Sequence, residues 1–243
     1  MTYCVGLKLN RGLVFMSDTR TNAGLDNIST YRKMFTWVDE GESMITMMTA
    51  GNLATTQSVV SLIDERNKAP TDRHPAILEF HSMFQVAKYV GQTLKEVIAQ
   101  HGENGERAES YFNATMIVGG QVKGSEPRLF LIYPEGNFIE AGDDTPFLQI
   151  GEMKYGRPIL VRAFDAGMSF EEAVKLLLVS FDSTIKANLS VGLPLDLQIY
   201  ERDSFRKGNQ RRFRTNDAYF QTISHGWGDA LKQAFDTLPN IVL

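Results

Sequence analysis

The chain opens Thr2-Tyr3-Cys4-Val5-Gly6-Leu7-Lys8-Leu9, turns through Asn10-Arg11-Gly12 and continues Leu13-Val14-Phe15-Met16-Ser17-Asp18-Thr19-Arg20. Tyr3, Val5, Leu7 and Leu9 alternate with Cys4, Gly6 and Lys8, the period-2 pattern of a half-buried strand. Asn10-Arg11-Gly12 is turn chemistry between two apolar runs, so the stretch is predicted to form a β-hairpin. A hairpin folds the second strand back along the first and brings Asp18 toward the level of Thr2. Thr2 directly follows Met1. Cells generally trim an initiator methionine when the next residue is small, and the trimmed chain would begin with a hydroxyl and a free α-amine on one residue. An α-amine titrates at roughly pH 7.7–8.0, so part of it can act as a base at neutral pH. The threonine–N-terminal amine pair is a recognised way to activate a hydroxyl nucleophile. A retained Met1 would convert that amine into an amide with no basic lone pair.

Further residues extend the constellation. Lys33 follows a polar stretch, in Thr30-Tyr31-Arg32-Lys33-Met34-Phe35. Then come the apolar Met44-Ile45-Thr46-Met47-Met48-Thr49 and the strand-to-helix signal Ala50-Gly51-Asn52. Placed together, these residues make a nucleophile set. The Thr2 hydroxyl attacks an amide carbonyl and the α-amine takes the proton. Lys33 raises the local positive potential, Asp18 orients Lys33, and the Gly51 amide faces the developing oxyanion. Taken singly, each residue has a plainer reading: Asp18 as strand-ending turn chemistry, Lys33 as a solvated loop charge, Gly51 as a packing or capping glycine. Their joint occurrence favours the set because their spacing is that of a known family.

This arrangement resembles the β-type subunits of proteasomes, a family of N-terminal nucleophile (Ntn) hydrolases. The family motif has an N-terminal threonine, an aspartate in an Asp-Thr-Arg-like stretch ending the second strand, and a lysine further on. Thr2, Asp18 in Ser17-Asp18-Thr19-Arg20, and Lys33 match it, with the lysine one residue closer than the commonest spacing. Gly51 takes the place of the family's oxyanion glycine. The likeness continues through Ile117-Val118-Gly119-Gly120, Gly151 to Tyr155-Gly156, and Gly167-Met168-Ser169, as far as about Ile199. Within the family the chain is most similar to the bacterial ancestral β-subunit (Anbu) group, whose members begin Met-Thr-Tyr-Cys and lack a propeptide.

Two departures stand out. Asn188 falls where proteasome subunits usually carry an aspartate, with Ser190 close to the family's serine. The family's Gly-Ser-Gly stretch is Gly151-Glu152-Met153 here, so a helper hydroxyl is missing. Asn188 can donate and accept hydrogen bonds but brings no charge. The Glu152 carboxylate could bind the α-ammonium, replace the lost aspartate or point to solvent, and the sequence leaves these open. The resemblance implies catalytic roles at Thr2, Asp18, Lys33, Gly51, Asn188 and Ser190.

Composition agrees with one compact catalytic domain over residues 1–243, with a longer C-terminal extension after about residue 200. Hydrophobic residues make up 43% of the chain and charged residues 22%, ordinary for a soluble globular protein. The net charge of −4 argues against nucleic acid or an anionic membrane as partner. The basic stretch Arg211-Arg212-Phe213-Arg214 is read as one face of a solvated strand. A single cysteine, Cys4, rules out an intrachain disulfide and suits a reducing cytosol. Its place in the strand pattern suggests core packing. No membrane-length apolar run or signal peptide is seen, so a cytoplasmic location is expected.

The rest of the chain predicts an α+β fold, a four-layer αββα sandwich of the Ntn type. Helices are expected from Leu53 to Arg66, from about Pro75 to His101, from a capping box of Ser169 and Glu172 through Val174 to Phe181, and from Asp217 to Phe235. Gly102 to Glu106 reads as a loop. Strands are expected at Thr115–Gly119, Arg128–Tyr133, Leu195–Tyr200 and Arg212–Thr215. His74, His81, His101 and His225 lack the paired spacing of a metal site, and no metal or cofactor is expected. Met44, Met47 and Met48 are candidates for the core or for an adaptable apolar pocket.

The sequence therefore predicts a threonine-type peptidase that hydrolyses peptide or related amide bonds. The resemblance also implies a homo-oligomer, either a ring or an open helical assembly. An Ntn amidase for a small, unusual amide and a non-catalytic, self-assembling peptide-binding scaffold are the alternatives. Neither the natural substrate nor any unfoldase partner is legible in the residues.

Overall fold

The computed structural model describes residues 2–22, 28–68, 75–102 and 112–242. The opening hairpin forms as its turn chemistry predicts. Strand β1 (Tyr3–Leu9) pairs antiparallel with β2 (Gly12–Asp18), with Leu9 opposite Gly12 and Cys4 opposite Ser17. Asp18 is thereby carried back to β1, where its Oδ1 accepts the Tyr3 amide at 3.0 Å.

The alternation along β1 sorts two apolar faces, whereas a half-buried strand would set one face to water. Tyr3, Val5, Leu7 and Leu9 pack in a cluster with helical residues, while Cys4 packs in a second cluster between two sheets. Both faces are covered, so the strand is buried almost throughout. The same sorting runs along β2, with Val14 and Met16 toward helices and Leu13 and Phe15 toward the opposing sheet.

After the short ribbon of β3 (Arg20–Asn22) and β4 (Ile28–Thr30) come β5 (Met34–Asp39) and β6 (Ser43–Gly51). They are followed by helices α1 (Leu53–Lys68) and α2 (Met83–Gly102). Next are β7 (Ala114–Val122), β8 (Arg128–Ile132), β9 (Phe138–Glu140) and β10 (Phe147–Gly151). Helices α3 (Arg157–Ala163) and α4 (Phe170–Ala187), strands β11 (Leu195–Glu201) and β12 (Asn209–Phe213), and helix α5 (Ala218–Asp236) complete the order.

One five-stranded sheet runs β10-β1-β2-β11-β12 and the other β5-β6-β7-β8-β9. Three apolar clusters hold four layers together. Val59 and Ile63 of α1 and Val86, Val90 and Leu94 of α2 cover Ile45, Met47, Met116 and Val118 on one sheet. Leu160 of α3 and Leu177 and Phe181 of α4 cover the outer face of the other. Cys4, Phe15, Met44, Met48, Ile117 and Tyr200 fill the space between the sheets. The three methionines are core residues, with Met44 and Met48 between the sheets and Met47 under the helices.

Several boundaries differ from the sequence reading for local reasons. The second helix starts at Met83, well after Pro75. Glu79 folds back onto the Ala76 amide in a short turn, and Ser82 then caps the helix through Gln85 N. The last strand spans Asn209–Phe213, earlier than Arg212–Thr215. Arg212 is clamped by Asp196 on β11, Arg214 O accepts the Asp217 amide in a turn, and Asp217 caps α5 through Phe220 N. The Ser169–Glu172 capping box forms as expected, at 3.1 and 2.9 Å. The Gly102–Glu106 loop lies mostly outside the described residues, as do His74 and the side chain of His101. Among the described residues no helix is long and apolar enough to cross a membrane.

Candidate active site

Thr2 enters β1 at the mouth of a cavity of about 490 Å³, which Lys33 and Gly51 also line. Each arrives from a different element. Lys33 immediately precedes β5, held there by the Thr49 amide donating to its carbonyl at 2.9 Å. Gly51 ends β6 with φ of +115°, and a side chain there would meet Asn113 O at 2.4 Å. The left-handed backbone and that close approach both demand glycine. Asn52 then caps α1 by accepting the Thr55 amide at 3.1 Å.

Asp18 is buried behind Lys33. The Lys33 ammonium donates to Asp18 Oδ1 at 2.8 Å and to Arg20 O at 2.6 Å. Asp18 also accepts the Tyr3 amide at 3.0 Å and the Gly192 amide at 3.4 Å. Burial pushes the Asp18 carboxyl above the ordinary carboxylate range, while the Lys33 ammonium and the two amides pull it back. The result is a lysine held in place by a carboxylate with no exposed surface.

A second arm reaches Thr2 from the other side. Glu152 donates its amide to Thr2 O at 2.6 Å, and its buried side chain accepts Asn188 Nδ2 at 2.8 Å and the Lys154 amide at 3.1 Å. Of the alternatives left by the sequence, the solvent-facing Glu152 is therefore excluded. Asn188 sits at the end of α4, where its Oδ1 accepts the Ser190 amide at 2.9 Å. Neither Asn188 nor Ser190 is among the lining residues of the cavity, and Asn188 is linked to Thr2 through Glu152. The stretch from Asn188 to Gly192 thus touches both Glu152 and Asp18.

Gly151, beside Glu152, also lines the cavity. It has φ of +83°, and a Cβ there would fall 1.9 Å from Thr2 O. Only glycine lets β10 approach Thr2 so closely.

Two neighbouring groups are removed from the chemistry by burial. Cys4 is fully buried, and desolvation pushes its thiol well above the ordinary range. The Tyr3 hydroxyl, bonded to Ser180 and Gln149 at 2.8 and 2.7 Å, is pushed up to about 12 by burial. The sequence reading missed Thr21, Arg32, Phe35 and Gln57, which also line the cavity. Arg32 adjoins Lys33 and was visible, but nothing in the spacing indicated which way it faced. Among the described residues no cluster of histidine, cysteine and carboxylate side chains is arranged to hold a metal. His225 instead contacts Gln221 O through Nδ1 at 2.8 Å. The basic Arg211 and Arg212 are paired with Asp217 and Asp196.

Known proteins share this fold. The family model describing proteasome subunits matches residues 2–193. Among solved structures, the chain is similar to Anbu (ancestral beta-subunit) from Yersinia bercovieri, with 46% identity and a TM-score of 0.92, covering 100% of this chain and 99% of that one. Anbu from Hyphomicrobium sp. strain MC1 is 49% identical with a TM-score of 0.92, both chains being covered in full at 100%. The helical assembly of the Anbu complex from Pseudomonas aeruginosa gives 45% identity and a TM-score of 0.92, covering 99% of this chain and 98% of that one. No curated protein matches the chain.

Proposed function

The chain belongs to the proteasome subunit family, in its ancestral β-subunit group, and from that premise we propose that it is a threonine peptidase acting through Thr2 once Met1 is removed. The observation that carries this reading is the meeting of Thr2, Lys33 and Gly51 on one cavity, with Asp18 buried behind Lys33 at 2.8 Å.

The reaction follows from those positions. The Thr2 hydroxyl adds to the amide carbonyl of a peptide, and its proton passes to the freed α-amine. Lys33, fixed by Asp18 and Arg20 O, supplies positive potential that favours the anionic oxygen and the neutral amine. The Gly51 amide stabilises the tetrahedral oxyanion, a donor of the kind worth about 2.7–4 kcal/mol. The leaving amine takes the proton as the C–N bond breaks, leaving an ester on Thr2. Water, deprotonated by the same α-amine, then cleaves that ester and restores the hydroxyl. Glu152 and Asn188 are positioning residues in this scheme, because they fix the Thr2 carbonyl and thereby the direction of its amine. Ser190 supports them by donating its backbone amide to Asn188 Oδ1.

We extend the proposal to assembly. The Pseudomonas aeruginosa relative is a helical assembly. This chain leaves Leu231, Phe235, Leu238, Ile241 and Val242 exposed along α5 and the tail beyond it. An apolar stripe of that kind fits contact with further copies of the chain. Light scattering on the purified protein tests this, and a monomer at micromolar concentration overturns it.

The catalytic reading is tested by intact mass, with and without a peptide epoxyketone that needs both the threonine hydroxyl and its amine. A mass lacking one methionine with one adduct per chain is expected. Thr2→Ala is expected to abolish the adduct and turnover while leaving the assembly unchanged. Retained Met1 without an adduct, or full activity in Thr2→Ala, overturns the reading.

A further inference from the structure

The wall of the Thr2 cavity carries a charge imbalance that amide hydrolysis does not use. Two cations line it, Lys33 and Arg32, and among the described residues no carboxylate does. Lys33 is buried and occupied, its ammonium donating to Asp18 and Arg20 O. Arg32 is exposed, and among the described residues no carboxylate pairs with it. The same residue lines an adjoining groove with Asp196, Lys207, Arg211 and Arg212, so it stands between the cavity and that groove. In that groove Arg211 and Arg212 are paired with Asp217 and Asp196.

We propose that Arg32 is a specificity-determining residue, which makes the cavity prefer a substrate bearing a carboxylate side chain at the residue whose carbonyl Thr2 attacks. The proposal rests on the Thr2 reading for what is attacked, and on the cavity alone for what is bound. Phe35 and Leu53 line the cavity too, and they contact the stem of a glutamate as readily as an aliphatic side chain. Bulk apolar contact therefore does not discriminate, and the charged end does. A guanidinium presents a planar fork that matches both oxygens of a carboxylate. Gln57 also lines the cavity and offers a neutral donor, whereas a lysine or arginine side chain would face Arg32 with no carboxylate among the described lining residues to receive it. Because Arg32 is exposed, solvent screens the pair, and the preference is on the order of tenfold.

The test uses Thr2→Ala, confirmed by mass to lack Met1, so that peptides bind without being cleaved. Calorimetric titration compares blocked tetrapeptide amides that differ only in carrying Glu, Gln, Leu or Lys at the residue under test. Glu is expected to bind about tenfold more tightly than Gln, with Lys weakest. Adding Arg32→Gln should equalise Glu and Gln, and adding Arg32→Glu should favour Lys. Equal affinity for Glu and Gln, a preference that survives Arg32→Gln, or no measurable binding overturns the inference. None of these outcomes depends on a competent nucleophile. Retained Met1 with no epoxyketone adduct on the unsubstituted protein would overturn the Thr2 reading separately.

Discussion

Asn188 donates from Nδ2 to the buried carboxylate of Glu152 at 2.8 Å, and Glu152 donates its amide to the carbonyl of Thr2 at 2.6 Å. The two departures from the proteasome pattern are therefore one structural feature. The charge expected at position 188 is absent, and a carboxylate enters instead from the strand that flanks Thr2. An amide at position 188 suits that partner, because it has a donor to offer where an aspartate would have a second negative charge.

Restoring the commoner aspartate should therefore harm this protein. Asn188→Asp places two carboxylates at hydrogen-bonding distance, which cannot both ionise cheaply. A loss of about 1–3 kcal/mol is expected at neutral pH, the usual cost of an unsatisfied buried polar contact. One carboxyl of the pair would have a folded pKa raised above its unfolded value. Its stability contribution is then present at low pH and lost as pH rises, so the defect should shrink on acidification. Combining Asn188→Asp with Glu152→Gln should recover most of the loss. Urea unfolding of the single and double variants at pH 4 and pH 8 measures the coupling, and strictly additive effects would contradict it.

How much of this was legible in the chain depended on sequence separation. The opening hairpin and the Ser169–Glu172 capping box could be read because each is specified within a few residues. The hairpin pattern linked Asp18 to Thr2, but the placing of Lys33 and Gly51 beside them came from resemblance, since those two arrive on separate elements and no local pattern links them to the hairpin. The Glu152–Asn188 contact joins a strand end to a helix end 36 residues on, and only the fold brings the two together. The period-2 pattern of β1 correctly indicated a strand. It misjudged the environment at Gly6, which a half-buried strand would set toward water but which faces Leu129 and Ile117 of the second sheet, whereas Cys4 lies in the core as its place in the pattern suggested. For Arg32 the sequence supplied a charge without a direction, and only the fold places it at the cavity.

Removing the Lys33 ammonium tests what holds the buried charge of Asp18. In Lys33→Met the carboxyl keeps the Tyr3 and Gly192 amides but loses its cation. Breaking a buried pair from one side costs about 3–5 kcal/mol. Burial already raises the Asp18 carboxyl, and losing Lys33 removes the largest opposing cause. A raised folded pKa contributes stability below the unfolded value and loses it as pH rises. The variant should accordingly be most destabilised at neutral and alkaline pH, and less so as pH falls toward the ordinary carboxylate range. Adding Asp18→Asn should restore part of the loss by removing the charge altogether. Denaturant midpoints across pH 4 to 9 decide the matter, and a pH-independent loss would mean that packing of the lysine stem, not charge, holds the site.

Gly51 separates backbone conformation from crowding. Gly41 also has a positive φ, at +85°, but a Cβ there meets nothing within 4 Å. Gly41→Ala should therefore cost only conformational strain, about 1 kcal/mol. Gly51→Ala combines φ of +115° with a Cβ placed 2.4 Å from Asn113 O and 2.7 Å from Ala114 Cα, both backbone atoms that cannot swing aside. Its cost should exceed that of Gly41→Ala by roughly 1–3 kcal/mol, read as the difference between their unfolding midpoints. The strands must part to admit the methyl, so the Gly51 amide is displaced from the cavity it shares with Thr2. If that amide stabilises the oxyanion, turnover falls by on the order of 10²–10³ under conditions where Gly51→Ala remains folded, while Gly41→Ala keeps its rate. Matched rates in the two folded variants would remove Gly51 from the chemistry and leave it a structural glycine.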